Sequence, residues 1–150
     1  KAKSKDEALK ILKGKIQSGE AVEKFKELIS AQGGNSNVCD DYSLFEQAKY
    51  KIEVPSKSEG YVSRIDAYKI AYGCKILGAG REKKTDSIDY SVGIYINKKS
   101  SEFCKKGEIL YTIYANDEQK AKIAQEYCNS AFEFSDKKPA NKKMVYEIIK

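Results

Sequence analysis

The stretch from residue 67 to residue 93, AYKIAYGCKILGAGREKKTDSIDYSVG, organises the rest of the chain. It reads as a short amphipathic helix, a basic loop bracketed by glycine and a β-strand. Ile70, Cys74 and Leu77 recur at i, i+4 and i+7, which places them on one helical face. Asp66 has the residue type of an N-cap, and Gly78 that of a C′ stop. The loop over residues 78–86 then presents Arg81, Lys83 and Lys84 beside the flexible Gly78 and Gly80. A helix with one apolar stripe needs a surface to cover it, and the flanking segments read as sheet built around it.

Upstream, Ser4-Lys5-Asp6-Glu7 has the spacing of a capping box. Leu9, Leu12 and Ile16 follow as one stripe. After Ser18-Gly19, Val22, Phe25, Leu28 and Ile29 form a second, and Gly33-Gly34 ends it. This predicts a helical hairpin whose two stripes both need a partner surface. Residues 35–48 are a polar connecting loop. Asn35, Asp40 and Asp41 lack the spacing of a calcium loop and read as turn residues. From Tyr50 the period becomes two: Tyr50, Ile52 and Val54 alternate with Lys51 and Glu53 until Pro55. Ser56-Lys57-Ser58-Glu59-Gly60 lacks the phosphate-loop pattern and reads as a hairpin turn into a strand over residues 61–65. Further strands are predicted at 92–96, 109–114, 131–134 and 144–149. A helix capped in the Asn116-Asp117-Glu118-Gln119 run reaches about Ser130, with Ala124, Tyr127, Cys128 and Ala131 facing inward. The expected organisation is α+β: a helical lead-in over 1–34, a connecting loop over 35–48 and a mixed-sheet domain over 49–150.

Composition narrows the chemistry. Histidine is absent from the 150 residues. That removes the commonest general base and every Ser-His or Cys-His nucleophile. Cys39, Cys74, Cys104 and Cys128 form no Cys-x-x-Cys pair and read as reduced thiols of a cytoplasmic protein. The net charge of +6 comes from lysines interspersed with acids, the pattern of a solvated surface and not of a nucleic-acid groove. The strand tyrosines read as sheet residues with their hydroxyls at the surface. No apolar run approaches the ~20 residues of a membrane span. The chain begins with Lys1 and its only methionine is Met144, so it reads as a processed or cloned portion, which fits a fragment and equally a removed tag or initiator.

Several segments resemble one enzyme family. Leu77-Gly78-Ala79-Gly80-Arg81 and Asp86-Ser87-Ile88-Asp89-Tyr90-Ser91-Val92-Gly93 are similar to the C-terminal part of pyrimidine-nucleoside and thymidine phosphorylases. So, in the right order, are Ser30-Ala31-Gln32-Gly33-Gly34, Lys105-Lys106-Gly107-Glu108 and Val145-Tyr146-Glu147-Ile148-Ile149. The resemblance implies an α/β-hammerhead, barrel-sandwich-like domain of a cytoplasmic, homodimeric glycosyltransferase in pyrimidine salvage. That family runs the reversible phosphorolysis of uridine, thymidine or deoxyuridine, in which phosphate attacks the anomeric carbon and the base departs. Its phosphate and base ligands lie in its N-terminal part. The resemblance therefore carries no catalytic, substrate-binding, cofactor or metal residue into this chain, and it implies no cofactor. Phosphate and nucleoside would be partners of the whole enzyme only. Gly80, Arg81, Lys83 and Lys84 are the candidate flap at the edge of its cleft.

A second resemblance shares the architecture. Val54-Pro55, Gly60-Tyr61-Val62 and residues 105–110 are similar to the half-motifs of biotinyl and lipoyl carrier domains. Where a carrier presents its lysine, this chain has Thr112-Ile113-Tyr114-Ala115-Asn116. The alternatives to the phosphorylase reading are such a carrier-like barrel and a free-standing interaction module.

Overall fold

A computed structural model describes residues 2–140, 145 and 147–149. The chain divides into two compact units, Lys1–Glu46 and Gln47–Lys150.

The first unit is helical. Helices α1 (Lys5–Gln17) and α2 (Glu20–Ala31) meet at Gly19, whose φ of 81° is a left-handed turn that glycine adopts without strain. Ser4 caps α1, its Oγ accepting the Glu7 N–H at 3.2 Å. The Glu7 carboxylate reaches back to the Lys3 N–H at 2.6 Å, one residue earlier than the expected box. Two 3₁₀ turns follow at Ser36–Cys39 and Tyr42–Leu44. Asn35 and Asp41 cap them by accepting the N–H groups of Asn37 and Ser43. Asp40 pairs with Lys26 at 2.9 Å. These side chains serve local backbone and charge, as turn residues do. Neither α1 nor α2 buries a side chain.

The second unit is α+β. Its elements are β1 (Tyr50–Pro55), β2 (Gly60–Ile65), α3 (Ala67–Cys74), β3 (Gly93–Ile96), β4 (Phe103–Cys104), β5 (Ile109–Ala115), α4 (Glu118–Asn129) and β6 (Phe132–Ser135). They form two three-stranded sheets, ordered β1-β5-β3 and β4-β2-β6. Every pairing among the described residues is antiparallel, which corrects the expected mixed sheet. A parallel pair needs a crossover that returns to its own sheet. Here the α3 crossover leads from β2 in one sheet to β3 in the other.

The turn at residues 56–60 differs for a related reason. It joins strands of different sheets and is no hairpin. Beyond Pro55 the Ser56 N–H donates to the Glu108 carbonyl and the Ser56 carbonyl accepts the Gly107 N–H, both at 2.8 Å. The chain thus stays beside the approach to β5. Gly60, at φ 142°, then redirects it against β6, where a Cβ would lie 3.0 Å from the Ser135 carbonyl oxygen. Of the strand expected at 144–149, Met144 and Tyr146 lie outside the described residues. Val145, Glu147, Ile148 and Ile149 belong to no strand.

Strand β5 is the centre of the core. Tyr111 and Ile113 have no exposed surface, and Leu110, Thr112 and Ala115 are buried. The Tyr111 ring stacks on Phe132 at 5.4 Å. Its hydroxyl donates to Asn129 Oδ1 at 2.8 Å, with the Gln125 carbonyl oxygen at 3.2 Å. Helix α4 buries Ala121, Ala124 and Cys128. Tyr127, expected inside, is 44% exposed. Asp66 caps α3 as expected, accepting from the Tyr68 and Lys69 N–H groups at 3.0 and 3.2 Å. The helix then widens into a π turn over Lys75–Ala79, and Gly78 ends it at φ 116°. Helices α3 and α4 touch through Gly73, where a Cβ would sit 2.6 Å from Cys128 Sγ and 3.1 Å from Ile94 Cδ1.

Gly73→Ala is therefore expected to destabilise the second unit by about 1–3 kcal/mol, from overpacking. Adding Cys128→Ala should restore part of the loss in a denaturant titration. Tyr111→Phe should cost about 1–2 kcal/mol through the hydrogen bond to Asn129, and equal midpoints for the two proteins would refute that accounting.

Candidate functional site

The connection from α3 to β3 carries the residues singled out in the sequence. Its base is closed by the Asp89 N–H, which donates to the Gly78 carbonyl at 3.0 Å. Asp89 then gathers the surrounding chain. Its Oδ1 accepts the Ser91 N–H at 3.0 Å and the Ser91 hydroxyl at 2.6 Å. Its Oδ2 accepts from Asn116 Nδ2 at 2.7 Å. Asn116 also donates to Ser91 Oγ at 2.8 Å, and its Oδ1 accepts the Lys49 N–H at 2.9 Å. Asn116 is thus committed to tying β1, β5 and the loop together, and Asp117 caps α4 in its place, accepting the Lys120 N–H at 2.9 Å. The ordinary Asp89 carboxyl value is lowered first by the Ser91 hydroxyl and then by the Asn116 amide, because both stabilise the anion.

The tip has its own ties. Asp86 Oδ2 accepts the N–H groups of Glu82 and Lys83 at 3.0 and 2.9 Å. Glu82 pairs with Lys75 at 2.8 Å. The Lys75 ammonium lies 5.3 Å from the centre of the Tyr72 ring, within cation–π range. Between helix and loop is an open cleft of about 380 Å³ whose lining includes Tyr72, Lys75, Gly78, Gly80, Glu82 and Lys120.

Of the candidate flap residues, Gly80 lines this cleft, and Arg81, Lys83 and Lys84 are not among its lining residues. Arg81, Lys83 and Lys84 are exposed, and no side-chain ion pair or hydrogen bond of theirs is among those of the described residues. The Gly80 φ of −146° is open to any residue, and its small size matters because a Cβ would lie 3.3 Å from Lys75 Cβ. Lys75, Glu82, Asp89, Ser91 and Asn116 join the site only through the structure. The Asp-x-Ser spacing at 89–91 is a local turn signal that could have pointed to the first part of that network. Asn116 pairs with it from 27 positions away, which no local pattern reports.

Reactive chemistry is scarce in the described residues. No group of three or more His, Cys, Asp or Glu stands where it could hold a metal. Cys74, Cys104 and Cys128 are free thiols whose values burial raises, that of Cys128 to about 12. All three stay protonated near neutral pH, and a protonated thiol is a poor nucleophile. The stretch compared with a carrier tip, residues 112–116, falls largely inside β5, with Thr112, Ile113 and Ala115 buried. It is no exposed hairpin.

Comparison with known proteins identifies relatives. A family model described as the pyrimidine nucleoside phosphorylase C-terminal domain matches residues 61–135. The pyrimidine-nucleoside phosphorylase of Bacillus subtilis (strain 168) is 42% identical over 150 residues, covering 99% of this chain and 34% of the relative. That of Geobacillus stearothermophilus is 44% identical over 125 residues, 83% of this chain and 29% of the relative. The thymidine phosphorylase of Metamycoplasma hominis is 43% identical over 141 residues, 92% of this chain and 50% of the relative. The chain thus spans between about a third and a half of the length of these relatives.

Asp89 links the site to pH. A carboxyl lowered in the fold contributes stability above its unfolded value, and that contribution is lost as pH falls through about 4 toward the folded value. Asp89→Asn should therefore melt below the parent at about pH 6 and close most of the gap at about pH 3. A gap in melting temperature that stays constant across that range would show that the Asp89 charge does not matter.

Proposed function

This chain belongs to the pyrimidine nucleoside phosphorylase C-terminal domain family, and on that premise we propose that it supplies the C-terminal, structural part of a pyrimidine-nucleoside phosphorylase. The observation that carries the reading is the alignment with the Bacillus subtilis enzyme, which covers 99% of this chain at 42% identity. The whole enzyme is a glycosyltransferase of pyrimidine salvage that exchanges a pyrimidine base for inorganic phosphate on a ribose or deoxyribose. It acts in the cytoplasm as a homodimer. The free, unpaired state of all four cysteines is in keeping with a reducing compartment.

Residues 1–34 are assigned to the central lobe of that enzyme, residues 35–48 to a connection and residues 49–150 to the C-terminal domain. Two three-stranded sheets with α3 and α4 packed together support an α/β-hammerhead, barrel-sandwich-like arrangement for the last of these.

The reaction needs donors around phosphate, a cation near the departing base and both reactants held in line. In this reading those groups belong to the other part of the enzyme. The contribution of this chain is a wall that helps exclude water on closure. Gly80, Arg81, Lys83 and Lys84 form its flap. Three exposed cations on a loop with a tied base suit the edge of a site that receives phosphate, where a positive field raises the local anion concentration.

Purified alone, the chain is expected to leave uridine and thymidine intact in phosphate buffer. Release of base by homogeneous protein would overturn the scaffold role. Grafted in place of the matched third of the Bacillus subtilis enzyme, it should support phosphorolysis. In that hybrid, replacing Arg81, Lys83 and Lys84 together by Ala should lower kcat/KM for phosphate by about tenfold, equivalent to ~1.4 kcal/mol. Unchanged kinetics would leave the loop a simple connection.

A further inference from the structure

We infer that the apolar face of the α1–α2 hairpin is a docking surface for one occupant: the polypeptide equivalent to the portion of pyrimidine-nucleoside phosphorylase that this chain does not match. The identity of the occupant rests on the family reading above; the surface itself rests on the helices.

The two helices have 13 and 12 residues and bury none of their side chains. Helices of about that length are marginal in water unless an apolar face is packed. The stripes are nevertheless fully formed. Leu12 is 59% and Ile16 69% exposed on α1; Phe25 is 54% and Leu28 52% exposed on α2. On α2 the face is an open groove of about 590 Å³, floored by Ala21, Phe25, Leu28 and Ala31 and edged by Lys24 and Glu27. A contiguous row of large apolar side chains of this kind marks an interaction surface.

Charge selects among occupants. Lys24 pairs with Glu27, and Lys26 with Glu23 and Asp40, both of the latter at 2.9 Å. The cations beside the groove are internally neutralised. At the α2 groove itself, whose one lining cation is Lys24, neither a nucleic-acid backbone nor an anionic lipid surface finds an unpaired basic rim. An apolar protein surface needs no such rim.

Length selects the protein. The Bacillus subtilis match covers the hairpin together with the rest of this chain, and 34% of that enzyme is accounted for. The same hairpin sequence is thus carried beside a much larger body of polypeptide, enough to cover both stripes.

The test is binding, read without turnover. The full chain would be titrated with the unmatched portion of the Bacillus subtilis enzyme and followed by calorimetry and sedimentation. The expected result is a one-to-one complex whose Kd weakens about 10- to 100-fold with Leu12→Glu or Phe25→Glu, and stays unchanged with Lys10→Glu. If that portion is insoluble alone, hydrogen exchange on the grafted hybrid replaces the titration. Amides of residues 9–28 should be slowed relative to the free chain, and Leu12→Glu or Phe25→Glu should remove the slowing. No complex, a complex indifferent to both substitutions, unslowed amides, or self-association of the chain that Phe25→Glu abolishes would each overturn the proposal. A complex that forms and yet fails to phosphorolyse nucleoside would uphold the docking surface and sink the functional reading instead.

Discussion

The phenol of Tyr111 holds the second unit together. It stands on β5, the middle strand of its sheet, yet its ring lies flat on Phe132 of the other sheet and its hydroxyl reaches α4. One side chain therefore couples both sheets and a helix. Burial of a tyrosine ring is favourable only if the hydroxyl keeps a partner, since an orphaned hydroxyl in an apolar setting costs about 1–3 kcal/mol. Asn129 supplies that partner from the last turn of α4, so the helix cannot slide along the sheet without breaking the bond.

Once α4 is placed, α3 has little choice. The helices meet at Gly73, where Cys128 and Ile94 leave no room for a side chain. The Asp66 N–H donates to the Ala131 carbonyl and Lys69 Nζ to the Ser130 carbonyl, each at 2.8 Å, which ties the start of α3 to the end of α4. The end of α3 and the start of β3 become fixed points. The segment between them is held at its base by Asp89 and at its turn by Asp86, while Arg81, Lys83 and Lys84 remain in solvent. The three cations thus extend from a loop whose base is tied by hydrogen bonds, the observation on which the proposed flap rests.

The two units differ in how their apolar residues are used. The second unit has a core, with Val62, Cys104, Ile113, Ala124 and Cys128 fully buried. Helices α1 and α2 of the first have no buried residue. The sequence holds no histidine, and burial raises the thiols of Cys74, Cys104 and Cys128.

Local order was legible in the residues themselves. The caps at Ser4 and Asp66, the stop at Gly78, the stripe of Ile70, Cys74 and Leu77, and the alternation that makes β1 all depend on neighbours within a few positions. So did the resemblance that placed the chain in its family. Sheet membership was not legible: Ser56 turns away from a hairpin because Gly107 and Glu108 pair with it, and Tyr111 looks like any strand tyrosine until Phe132 and Asn129 surround it. The Asp89–Ser91–Asn116 network was half legible, its first two members lying in one turn and the third far along the chain. Backbone hydrogen bonding and side-chain periodicity are properties of a segment, and the sequence by itself determined them. Which strand neighbours which, and which polar groups meet, depend on contacts between segments distant in the chain, and only the tertiary structure decided those.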